Sequence, residues 1–535
     1  MVILFNQAKR MPWEGKTSIY DHIRQQGDTV DGSLPDDEEF WAGSRMRWVA
    51  GGLDGALGHH AAPAGASEDV RELIRLLVKL TRKPGTLKRK AVYEQLIKLD
   101  IGGSIDAVLE EIRQAPGIEP EPLFYEAKWF AECGAHRNVV KFGMAVLGLF
   151  RNEAVKDLLL TLGRHEEFTL YAAVAIMNGM ENSNDVLFEL AQAVHGWGKI
   201  HTVERLQPDT PEIRAWLLRY GCPNSIMDEY LACICARNGE LHKALSASRV
   251  DDELFEGATD IIQALLHGGP AEDIDDYEFA PQVVTDYVRL AEEQGRTAKH
   301  LTVILKLREY LEASDDSDEV WAQRLRAGWT EELRQAATDT CERILSKPLC
   351  EAIVMEAVKT GNPAEQWYGV SAARRLGIDI WQELFAQLTA NPLLDSHYLE
   401  LMKSKDSTRI QELVAFAEQR LPLAEIASGP GEEMGFGEEY AAHRCLSSIL
   451  QNLDRHEGIG LELIAAGLNS PVANNRHMAL TALEAWTAAS WKARLSEVLV
   501  HLLKVDPDES VRERIRSLLK ENGVSTEQAT REKSF

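Results

Sequence analysis

The chain has 535 residues, 45% of them hydrophobic and 27% charged. At roughly 100–200 residues per domain, that length excludes one ordinary core and calls for about three cores or one extended repeat array. The apolar content excludes a disordered chain. The net charge of −26, from 58 Lys plus Arg against 84 Asp plus Glu, works against binding nucleic acid or an anionic membrane.

Residues 1–66 do not sustain a helical period. The opening run Met1-Val2-Ile3-Leu4-Phe5 is too short for a signal-peptide core. Nothing elsewhere approaches the ~20 apolar residues of a membrane span, so a soluble, cytoplasmic protein is expected. Trp13, the acidic run Asp36-Asp37-Glu38-Glu39, Phe40, Trp41 and Trp48 precede a Gly/Ala-rich stretch from Gly51 to Pro63. This reads as an irregular arm whose aromatic residues pack onto the first helices, ending in a linker. A lid over a groove is the functional alternative. The acidic run is expected in a solvated loop or helix start.

A helical rhythm begins at Ser67, a good N-cap. Val70, Leu73, Ile74, Leu77 and Val78 follow three-four spacing, and Lys83-Pro84-Gly85 stops the helix. The next helix opens at Thr86 and ends near Ile101-Gly102-Gly103. Ser104 is expected to cap a third, ended by Ala115-Pro116-Gly117. The basic cluster Arg82, Lys83, Lys88, Arg89 and Lys90 falls in the first of these turns, where cations favour a helix C-terminus. No sustained strand alternation occurs.

Near the end the rhythm becomes a repeat. Leu446/Ile449/Leu450 align with Ala479/Ala482/Leu483 and with Ile515/Leu518/Leu519, at offsets of 33 and 36 residues. Pro471 matches Pro507, and Arg476 matches Arg512. Pro in the turn and Arg opening the following helix look like a HEAT repeat. Weaker echoes start at His136 and His165, 29 residues apart, and at Gln366. Helix pairs that cannot bury their apolar faces alone are expected to stack. The expected fold is all-α, a solenoid of antiparallel helix pairs of the HEAT/ARM type. Its expected parts are an arm and linker (1–66), a degenerate array (67–440), clearer repeats (441–522) and a polar tail (523–535).

Catalytic patterns are sparse. The cysteines (Cys133, Cys222, Cys233, Cys235, Cys341, Cys350, Cys445) form no CxxC pair, and Cys233 and Cys235 read as core. The Glu/His pairs Glu132/His136, Glu439/His443 and Glu497/His501 share helix faces and read as surface contacts. His59-His60 lacks a nearby third ligand, and His165 near Glu167 reads as a cap. No metal site is assigned. Gly429 to Gly437 has the wrong glycine spacing for a dinucleotide, and Glu432 and Glu433 would repel pyrophosphate, so it reads as a long loop. Trp129, Trp216, Trp321, Trp367, Trp381 and Trp486 are expected in the inter-repeat core. Catalytic and cofactor-binding residues remain unassigned.

In overall length, in the arm Phe40-Trp41-Ala42-Gly43-Ser44-Arg45-Met46-Arg47-Trp48-Val49-Ala50-Gly51-Gly52 and in the helical array behind it, the chain resembles bacterial proteins named limonene hydroxylase. That resemblance implies a monoterpene oxidoreductase. It would oxidise limonene to carveol and perillyl alcohol and dehydrogenate those alcohols with NAD. The residues themselves favour a scaffold that holds a protein or peptide partner on its concave face. A nucleic-acid-binding solenoid conflicts with the charge.

Overall fold

The computed structural model describes residues 11–27, 30, 32–44, 47–55, 67–312 and 317–524. His59-His60 and the opening Met1–Phe5 lie outside the described residues. The fold is all-α. Among the described residues there is no strand, and one isolated parallel bridge pairs Glu433 with Val472. Backbone contacts divide the chain into two compact units, Met1–Lys347 and Pro348–Phe535.

The first unit is a succession of antiparallel helix pairs. Glu68–Arg82 packs on Thr86–Lys98, Pro120–Cys133 on Arg137–Leu147, and Lys156–Gly163 on Glu166–Gly179. Local chemistry sets the boundaries. Ser67 accepts a hydrogen bond from Val70 N, and Asp251 and Thr330 cap later helices in the same way. Each such cap stabilises its helix by about 1 kcal/mol. Gly143 permits one close crossing, since a Cβ there would meet Ala127 O and Ala131 N at 2.7 Å. The second helices of successive pairs, Arg137–Leu147, Glu166–Gly179 and Gly196–Val203, pack side by side as a row. They are buried almost all round.

One helix starts earlier than the sequence predicts. The helix expected to be capped by Ser104 runs from Ile101, because the Asp100 carboxylate accepts from Gly103 N. Gly102 and Gly103 therefore lie in its first turn, and the preceding helix stops at Lys98. The basic turn behaves as expected. Lys88 donates to the carbonyls of Lys79 and Lys83, closing the first helix.

The second unit contains the clear repeat. All nine residues of the three aligned trios are buried. Arg476 donates to Ser470 O and Pro471 O in its own turn, and its guanidinium also meets Asp506 in the next. Arg512 takes the matching position and donates to Asp506 O. The Gly429–Gly437 segment is a loop, as expected. Trp367 departs from its expected core position and is 54% exposed, its ring edge resting on Tyr368.

Candidate functional site: an arm across three helix starts

His136, His165 and His195 stand 29 and 30 residues apart, each immediately before a helix of the buried row. His165 Nδ1 accepts from Glu167 N, the capping role expected of it. The arm lies against these helix starts. Trp13 packs on Tyr93 and Trp129, with ring centroids 4.9 and 4.8 Å apart. Ile19 N donates to Gly134 O, and Ile19 and Ile23 are buried. Of the arm's other tryptophans, Trp41 leans on Phe40 while Trp48 is 47% exposed.

Asp36 is buried, contrary to the solvated position expected for the acidic run. Its carboxylate accepts from Arg137 N at 2.8 Å and from the Arg137 guanidinium at 3.0 Å. Asp37 joins the same guanidinium, which lies 4.2 Å over the Phe40 ring. Residues 37–40 do form a helix start. The acids are drawn inward because Arg137 sits at a buried helix start and needs a counter-ion; an unpaired buried charge costs several kcal/mol.

Lys141 holds the centre. Its ammonium is 2.6 Å from both Asp54 of the arm and Glu167 of the neighbouring helix. The other Glu167 oxygen accepts from Gly51 N at 3.0 Å. Gly51 has φ +70° and a Cβ there would lie 2.6 Å from Glu166 O, while Gly55 lies flat against the Trp197 ring. The glycines read as linker thus bring the backbone into contact with the helix row. His136 ring nitrogens meet the Tyr93 hydroxyl, Lys16 and Glu39, whereas Glu132 pairs with Lys128.

Electrostatics separate a latch from an acid–base pair. Burial works against the Lys141 ammonium, but Glu167 and Asp54 outweigh it and hold its pKa above the usual lysine value. Burial opposes the Glu167 charge too, but Lys141 and Arg137 prevail and keep it below the usual carboxylate range. Neither group titrates near neutrality, where general acids and bases work best. Burial pushes the Asp54 carboxyl up, against the pull of Lys141. Burial also lowers His165 to about 4.

Two cavities flank the latch. One of about 330 Å³ is walled by Asp36, Glu39, Asp54, His136, Asn138 and Lys141. The other, about 360 Å³, lies among Gly32, Ala50, Arg164, His165, Glu166 and His195. Both have room for a peptide side chain or a small polar molecule. A second buried lysine, Lys199, serves the backbone and donates to the carbonyls of Tyr220 and Pro223. Cys233 and Cys235 are buried, and burial raises each thiol to about 12. Among the described residues, no group of three or more His, Cys, Asp or Glu is arranged to hold a metal ion. No helix among them is long and apolar enough to cross a membrane.

Sequence reasoning passed over Asp36, Asp54, Lys141 and Glu167 as a group. The readable signal was the recurring histidine before each helix of the row. No protein-family model matches the sequence. No curated protein matches it. Among solved structures, the chain is similar at 16% identity to an engineered protein crystallised by the Northeast Structural Genomics Consortium. The alignment covers 86% of this chain and 100% of that one, with a TM-score of 0.22.

Proposed function

We propose that the chain is a helical-repeat scaffold that binds a protein or peptide partner along the row of helix starts at Arg137, Glu166 and Gly196. The supporting observation is the way that row holds the arm. A non-repeating segment is gripped by a helix-start N–H, a buried guanidinium, a buried ammonium and the Glu167 carboxylate. The same groups suit a partner segment that brings a carboxylate and an aromatic ring. Such a segment competes with an arm whose effective concentration is on the order of millimolar.

The test uses the full chain and a labelled peptide copying residues 32–55. Saturable binding that tightens when Trp13→Ala loosens the arm, and disappears when Asp36 and Asp54 of the peptide become Asn, supports the reading. The reading fails if the peptide does not bind in either background and the protein retains no specific partner from a native lysate.

A second reading rests on the place of the segment that resembles the limonene hydroxylases. Phe40 and Ala50, both within it, wall the two cavities. Under that reading a monoterpene occupies a cavity, and the chain oxidises limonene and dehydrogenates carveol with NAD. The charged cavity walls favour polar ligands over a hydrocarbon, and Glu432 and Glu433 disfavour pyrophosphate at the Gly429–Gly437 loop. The scaffold reading therefore stands first. Purified protein that neither binds limonene nor reduces NAD with carveol would remove the second.

A further inference from the structure

The Gly429–Gly437 loop has features that the arm site does not use. Phe436 is 72% exposed and Met434 64%. The loop that carries them is nevertheless fastened. Gly429 N donates to Asn469 O, Glu433 N to Pro471 O, and Arg444 donates to Gly437 O at 2.6 Å. Between the two apolar residues, Gly435 is buried against Val472 with φ +79°. The backbone dips onto the repeat turn there and lifts Met434 and Phe436 away from it. A pinned loop that shows two large apolar side chains to solvent forgoes the burial that usually places them inside.

Charge selects the occupant. Glu432, Glu433, Glu438 and Glu439 are all exposed and flank the pair on both sides. The neighbouring base, Arg444, is engaged with Gly437 O and Asp395. A surface that covers Met434 and Phe436 must therefore be apolar at its centre and positive at its rim.

We propose that this loop is a docking finger for a basic amphipathic helix of a partner protein, with Met434 and Phe436 entering its apolar stripe and the four glutamates meeting its Lys and Arg. This surface uses none of the residues that hold the arm.

The probe is a helical peptide of Leu and Lys with the leucines on one face, compared with a scrambled peptide of equal charge. Binding to the full chain is measured by fluorescence anisotropy at two salt concentrations. The striped peptide is expected to bind the wild type about 30-fold more tightly than it binds Met434→Ser/Phe436→Ser, the loss typical of an aromatic hot spot. It should also bind more tightly than the scrambled peptide. A second variant keeps the apolar pair and neutralises the rim with Glu432→Gln, Glu433→Gln, Glu438→Gln and Glu439→Gln. It should lose most of the salt dependence, and it decides the matter if the first variant does not fold. The proposal is overturned by no binding, by equal affinity for the two peptides, or by unchanged affinity in both variants. It is equally overturned if Met434 and Phe436 are needed for binding to neutral phosphatidylcholine vesicles but not to the peptide.

Discussion

Arg476 and Asp506 form a fully buried ion pair, Nε to Oδ2 at 2.8 Å, which ties the start of one repeat helix to the turn of the next. Both side chains are wholly shielded from water, so their charges meet in a low-dielectric interior. Removing one partner leaves an uncompensated buried charge, at a cost of about 3–5 kcal/mol. Asp506→Ala is expected to lower stability by that amount in urea unfolding. Arg476→Met combined with Asp506→Leu should recover most of the loss, because no charge is then left buried.

The latch around Lys141 makes a graded prediction. Lys141→Met leaves Asp54 and Glu167 facing each other, and a loss of about 3–5 kcal/mol is expected on the same ground. Asp54→Asn should cost much less than Glu167→Gln, because burial already disfavours the charge on Asp54 whereas Glu167 is held ionised. Hydrogen exchange at residues 47–55 would report arm release, fast in Lys141→Met and close to wild type in Asp54→Asn.

His165 gives a pH dependence of fixed sign. Burial lowers its pKa from 6.5 to about 4, so between those values the unfolded chain binds more protons than the folded one. The stability it contributes is complete above pH 6.5 and is lost as pH falls toward 4, by about 3 kcal/mol. His165→Asn retains a capping acceptor and removes the titration. Its melting temperature should fall less steeply than that of the wild type between pH 6.5 and 4, and parallel curves would refute the assignment.

Trp13 anchors the near end of the arm through two aromatic contacts, each contributing about 0.5–1.5 kcal/mol. Trp13→Ala should destabilise the first unit by about 1–3 kcal/mol. The same change at Trp48, which is about half exposed, should cost less than at Trp13. Near-UV circular dichroism during denaturant titration compares the two.

The repeat was legible because it is written locally. Three-four spacing, Ser67 as a cap and the matched Pro471/Pro507 turns each lie within a few residues of what they determine. Where two caps competed, the short range misled: Ser104 looked adequate, but Asp100 reached Gly103 N first. The site was not legible for the opposite reason. Asp36 meets a guanidinium 101 residues away, and no spacing rule connects them. Glycine is ambiguous by nature, since both slack and close approach require a missing Cβ, so Gly51 and Gly55 passed for linker. Trp367 shows the remaining limit, because periodicity places a side chain on a face without saying whether that face is covered.

The arm's docking also has a consequence for synthesis. Gly51 leaves the ribosome 116 residues ahead of Glu167, the group that receives its N–H. At about 5–20 residues per second, the nascent arm waits on the order of 6–23 s for that helix to be made. Trp13 and Ile19 are covered sooner, once Thr86–Lys98 and Pro120–Cys133 have been made. The Gly51 end of the arm therefore becomes native only after the helix that receives it, although it precedes that helix in the chain.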